Sequence, residues 1–190
     1  MGAPRGVPMG MVARGMVALA FALVAAGGEA WARDFLTEAE AVLMQNVRSI
    51  DKRTGVYMDA AALRLATALD RFEGRESAPG DALEFYSQEE MLDDYREILE
   101  HVMIVVGEAF DEPRRRENVN IKRALKNLKS EMLRDKARLE TLKGLAVERR
   151  REELRERVNR ALDVTGGVLD GADEGLARIA EREAREAARE

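Results

Sequence analysis

The one histidine of this chain, His101, is the side chain whose ordinary pKa best suits acid–base or metal chemistry near neutral pH. Glu97 stands four residues before it, one turn away on the same face of a helix. Such a couple can bind a metal or relay a proton. The simpler expectation is an ion pair at the edge of an apolar stripe. A di-metal carboxylate bundle needs Glu-x-x-His on two helices, and this chain carries that motif nowhere. Cysteine is absent, so no disulfide can form, and a lone histidine weighs against a metal site by ligand count. No Gly-x-Ser-x-Gly turn presents a nucleophilic serine. Gly166-Gly167 is followed by neither Lys-Ser nor Lys-Thr, so no phosphate loop is present. The segment Asp170-Gly-Ala-Asp173-Glu174 gathers carboxylates but lacks the spaced oxygen ligands of a calcium loop. Met44, Met58, Met91, Met103 and Met132 are scattered as core filler rather than clustered as a copper site. No catalytic, cofactor-binding or metal-binding residue is nominated, and the expectation is a protein that is not an enzyme. A rival expectation is a periplasmic small-molecule-binding or sensor bundle, whose pocket would be lined by Tyr57, Tyr95 or His101.

The elements that must position these residues are helices. Ala, Leu, Arg and Glu dominate, and 35% of the chain is charged. Thr37 and Glu40 form a capping box. Leu43, Val47, Ile50, Thr54, Tyr57, Ala61, Leu65, Ala68 and Phe72 then recur in steps of three and four. This predicts one kinked helix or two consecutive ones over about 38–73, with Gly55 a weak point and Ser49 a cap for a second helix. Residues 73–86, with Gly74, Ser77, Pro79 and Gly80, read as a loop. Ser87 and Glu90 make a second capping box. Behind it Met91, Tyr95, Ile98, Leu99, Val102, Val105, Val106 and Ala109 lead to Phe110, and Pro113 stops the helix. A third helix from Asn118 or Asn120 uses Ile121, Leu125, Leu128, Met132, Leu139 and Leu142, with Asp135 interrupting and Gly144 ending or bending it. A fourth carries Leu154, Val158, Leu162, Thr165, Leu169, Ala172, Leu176 and Ile179 straight through Gly166-Gly167. The predicted fold is all-α, an antiparallel bundle of three to four long amphipathic helices over 33–180. Residues 181–190 read as a charged tail that frays.

Charge is segregated along this frame. Residues 33–113 carry a net −11, residues 114–160 a net +9 and residues 161–190 a net −4. The basic block offers one candidate interaction surface: Arg114, Arg115, Arg116, Lys122, Arg123, Lys126, Lys129, Arg149, Arg150 and Arg151. The first expectation is intramolecular, a basic helix lying between acidic neighbours. The second is contact with another copy of the chain or another envelope protein. Nucleic acid is not expected, because the chain is acidic overall and no aromatic residue interleaves the basic block. Membrane contact is not expected either, because the third helix has the basic residues of a surface-lying helix but lacks aromatics.

Residues 1–32 read as a cleavable export signal. Arg5 and Arg14 carry positive charge around its start, a short apolar run spans Met16 to Ala26, and Ala30-Trp31-Ala32 forms a small-residue site before Arg33. A membrane span needs about 20 apolar residues, and this run is much shorter. Cleavage near Ala32 would leave residues 33–190, one domain's worth, in the periplasm or secreted. The expected role is that of a non-enzymatic interaction or scaffold component of the bacterial cell envelope.

Overall fold

The computed structural model describes residues 35–111 and 118–189. The predicted leader, residues 1–32, lies outside the described residues, as do Pro113 and the Arg114–Arg116 triplet. Five helices follow one another: α1 (Glu38–Asn46), α2 (Ile50–Phe72), α3 (Gln88–Asp111), α4 (Asn118–Glu148) and α5 (Glu152–Ala187). The chain is all-α, and no strand occurs among the described residues. Nor is any described helix long and apolar enough to cross a membrane.

Both capping boxes form. Thr37 Oγ1 accepts from the Glu40 amide at 3.3 Å while Glu40 takes the Thr37 amide at 2.8 Å. Ser87 and Glu90 repeat the exchange at 3.1 and 2.7 Å before α3. The predicted loop over 73–86 is present. Gly74 and Gly80 take positive φ there, where a Cβ would clash with its own backbone. Arg71 ties that loop down by donating to the Leu83 and Glu84 carbonyls at 2.5 and 2.8 Å.

The four long helices share one periodicity. Thr54, Met58, Ala61, Leu65, Ala68 and Phe72 on α2 are buried at alternating steps of four and three. So are Met91, Tyr95, Ile98, Val102 and Val105 on α3. On α4 the row is Ile121, Leu125, Leu128, Met132, Asp135, Leu139, Leu142 and Ala146. On α5 it is Leu154, Val158, Ala161, Thr165, Val168, Ala172, Gly175 and Ile179. A repeat of about 3.5 residues keeps a seam facing its partner when helices supercoil left-handedly. The core is therefore a stack of side-chain layers, two per heptad.

Two antiparallel hairpins make the bundle. In the first, Tyr57 of α2 meets His101 of α3 and Arg64 meets Asp94. In the second, Lys122 of α4 pairs with Glu183 of α5 and Lys129 with Asp173. The hairpins stack so that α2 packs on α4 and α3 on α5, each of these pairs running parallel. Arg123–Asp51 joins the starts of α4 and α2, and Arg149 reaches the Phe72 carbonyl at their ends. Arg151–Glu89 joins the starts of α5 and α3, and Arg178 lies over Phe110 near their ends. Helices α3 and α4 therefore touch across the bundle's diagonal.

Several sequence expectations are corrected. The stripe from Leu43 to Phe72 is not one face: the chain bends at 47–49, α1 folds back, and Leu43 is 55% exposed. Ser49 takes the N-cap position of α2 without a side-chain bond. Gly144 does not end α4, which runs to Glu148. On α5, Leu162, Leu169 and Leu176 sit only half-buried at the flank. Their smaller neighbours Ala161, Val168 and Gly175 hold the centre, because α5 approaches α3 and α4 closely there. A Cβ on Gly175 would lie 2.9 Å from Leu125 Cδ1 and 3.2 Å from the Phe110 ring. The charged tail, by contrast, continues α5 as an exposed helix to Ala187, in keeping with a solvated helix there.

Candidate functional site

The described residues of the basic segment do not assemble into one patch. Helix α4 runs from Asn118 to Glu148. At the helical rise that is about 46 Å, so Lys122, Arg123, Lys126 and Lys129 sit far from Arg149, Arg150 and Arg151. Five of these side chains are bonded within the bundle. Lys122 holds Glu183 at 2.7 Å, Arg123 holds Asp51 at 3.1 Å and Lys129 holds Asp173 at 2.5 Å. Arg149 donates to the Phe72 carbonyl at 2.7 Å, its guanidinium 4.4 Å from the Phe72 ring centre, and Arg151 holds Glu89 at 2.9 Å. Arg150 shapes the α4–α5 turn with a positive φ. Lys126 is exposed. Basic α4 thus pairs with two acids of α5 and with Asp51 of α2, whereas the strongly acidic α3 lies across the diagonal, so the expected placing of a basic helix between acidic neighbours is met on the α5 side alone. Exposed pairs contribute about 0–1 kcal/mol each, so they select the arrangement of helices more than they stabilise it.

The chemistry-bearing side chains are inside. At the middle of α4, Asp135 occupies a core position with 1% exposure. The sequence pattern marks it as an interruption of the stripe, yet it lies in the stripe. One oxygen accepts from Arg138 Nη1 at 3.3 Å, and the other, Oδ2, has no partner. Burial pushes its pKa up to about 6, against the pull of Arg138. The carboxyl faces the hydroxyl of Tyr95 across the diagonal, and burial together with this negative neighbour drives the phenol far above its ordinary pKa. Tyr95 meets Thr165 Oγ1 at 3.0 Å, and Thr165 donates to the Ala161 carbonyl at 2.7 Å. A threonine hydroxyl has one proton. That proton can serve Ala161 or Tyr95, and the Tyr95 hydroxyl can serve Thr165 or Asp135. A row of hydrogen bonds thus runs from α3 to α5, and Asp135 of α4 stands at its open end.

A second cluster surrounds Arg64, which is 1% exposed on α2. Its guanidinium forks onto both carboxylate oxygens of Glu40 at 2.5 and 2.8 Å and donates to the Phe35 carbonyl at 2.8 Å. Asp94 of α3 lies 3.9 Å away, and burial pushes its pKa up to about 6. Beside this clasp, His101 packs against Tyr57 and Phe35 with ring centres 5.0 and 5.6 Å apart. The expected Glu97–His101 ion pair does not form. Glu97 faces Arg96 at 3.7 Å, and His101 is half-buried among rings. Burial, reinforced by the charge of Arg53, lowers its pKa. Of the three side chains expected to line a ligand pocket, Tyr57 and His101 share this aromatic cluster, whereas Tyr95 belongs to the Asp135 row.

Among the described residues no group of three or more histidine, aspartate or glutamate side chains could hold a metal. In the carboxylate segment 170–174, Asp173 is the partner of Lys129. Sequence reasoning missed Asp135, Tyr95 and Thr165 as a unit. The heptad spacing of α4 carried the signal, since Asp135 falls in step with Leu128 and Leu142. Comparison of the chain with protein families, with curated proteins and with solved structures finds no match to any of them.

Proposed function

We propose that this chain is an exported, non-enzymatic interaction or scaffold protein of the bacterial cell envelope. Its partner would be another copy of itself or another envelope protein. One observation carries the reading. The side chains best suited to chemistry, Tyr95, Asp135, Arg64 and His101, all contact other helices inside the bundle. They define which helix packs on which, and the outer faces remain for recognition. The leader-like residues 1–32 support export. Charged outer faces imply contacts that weaken as salt screens them. The test is sedimentation at low and high salt, paired with crosslinking and mass spectrometry in the envelope fraction. Salt-sensitive association or a recovered envelope partner is expected. A monomer at both salt levels with no crosslinked partner refutes the reading.

A small-molecule-binding or sensor bundle is favoured by one specific observation, the unpartnered Oδ2 of Asp135 beside Tyr95 and Thr165. Such an atom is a ready acceptor for a ligand with a donor group. A thermal-shift screen against small amines and polyols tests it. A stabilising compound whose effect disappears in Asp135→Leu would support this reading over the first.

A further inference from the structure

The bend between α1 and α2 contains no helix breaker. Residues 47–49 are Val-Arg-Ser, with neither proline nor glycine among them. Val47 and Ser49 adopt ordinary extended backbone, and the Ser49 side chain caps nothing. The apolar steps Leu43, Val47, Ile50 and Thr54 pass through the bend at helical spacing. Helix α1 itself buries no residue, and its Val42 and Leu43 are 51% and 55% exposed. What folds it back is tertiary. Arg64 grips Glu40 through both carboxylate oxygens and the Phe35 carbonyl through a third bond, and the Phe35 ring lies on His101.

We propose that residues 35–46 are a releasable arm, which joins α2 in one continuous helix over about 38–72 when the Arg64 clasp opens. Straightened, Leu43 and Val47 continue the row that Thr54 and Met58 occupy. The arm would extend α2 by about 18 Å at the rise of an α-helix. Phe35 would leave the His101–Tyr57 pair, uncovering that part of the α2–α3 face.

The chain has no native cysteine, so spin labels can be placed at Ala39 and Ala66, both exposed. In the folded-back form these positions neighbour the bonded Glu40–Arg64 pair and give a short distance. In the continuous helix they lie about 40 Å apart. Glu40→Gln removes the charge from the clasp and leaves the capping box intact, because glutamine serves at that position. Arg64→Met removes the clasp from the other side. Each variant is expected to raise the ratio of long to short distances at least tenfold. Ile50→Pro then separates straightening from mere detachment. Proline suits the first position of α2, and Ser49 is already extended as a residue before proline must be. A helix running through residue 50 cannot form with it. Adding Ile50→Pro to Glu40→Gln should therefore abolish the long-distance population. Circular dichroism establishes that each variant folds, and Glu40→Gln, on the arm, leaves the bundle core untouched. An unchanged short distance in both clasp variants overturns the proposal. So does a broad spread of distances that Ile50→Pro does not alter.

Discussion

Replacing Asp135 by asparagine should stabilise the protein above neutral pH and leave it nearly unchanged in acid. The carboxyl is buried in the core row of α4, between Met132 and Leu139, where Arg138 and the Tyr95 hydroxyl only partly offset its burial. Its folded pKa is raised to about 6, from an ordinary value of 3.8. The sign follows from which state holds the proton more tightly. Here the folded state does, so this group contributes stability below about pH 4, and that contribution is lost as pH rises through about 6. A shift of about two units corresponds to about 3 kcal/mol between the two limits. The asparagine side chain would never carry the charge and would keep the shape. At pH 8 the variant should gain about 2–3 kcal/mol, or about 5–10 °C in Tm for a chain of this size. Near pH 4 the two proteins should nearly coincide. Urea unfolding across this range, followed by circular dichroism, measures the difference directly. Parallel stability curves for the two proteins would refute the reasoning, as would a less stable variant at pH 8. Asp94, also raised to about 6, bends both curves in the same direction. Only the difference between them isolates Asp135.

Other outcomes follow from single contacts. Gly175→Ala should destabilise by up to about 2 kcal/mol, the overpacking of its Cβ on Leu125 and Phe110 at about 1–3 kcal/mol being offset by about 1 kcal/mol of helix propensity. Gly166→Ala and Gly167→Ala meet no neighbouring atom and should each stabilise by up to about 1 kcal/mol. Thermal melts of the three variants give opposite signs or the packing account fails. Tyr95→Phe removes a buried hydroxyl bond to Thr165. In urea unfolding it should cost about 1 kcal/mol. Arg150→Gly relieves a left-handed backbone at the α4–α5 turn and should raise Tm, the strain at such a position being about 1 kcal/mol.

Much of the fold is legible in the sequence, and the lapses share a cause. Capping boxes at Thr37 and Ser87 mark helix starts correctly because their bonds are local. The 73–86 loop follows from Gly74 and Gly80 for the same reason. The centre of the α5 face is misplaced because hydrophobicity favours Leu162 over Ala161, whereas close helix approach favours the smaller side chain. The bend at 47–49 leaves one local mark, Ser49 at the N-cap of α2; its fold-back direction is invisible locally, since Arg64 makes it from the far half of α2 by reaching back to Glu40. The candidate site is hidden for a related reason. Asp135 reads as a polar break until Tyr95 and Thr165 are seen beside it, and they come from helices far along the chain.

The shared heptad fixes how this protein can change in length. One residue inserted between Met132 and Asp135 would turn everything after it on α4 by about 100°. Asp135 would leave its place opposite Tyr95, and Leu139 and Leu142 would swing toward water. An insertion of seven would restore the facing on α4 but displace its far end by about 10 Å against the other three helices. Only a whole repeat gained or lost by all four rods together keeps the cross-section intact. Drift in size must therefore be collective and quantised, and a lone indel in any one rod should be far more damaging than most substitutions on its surface.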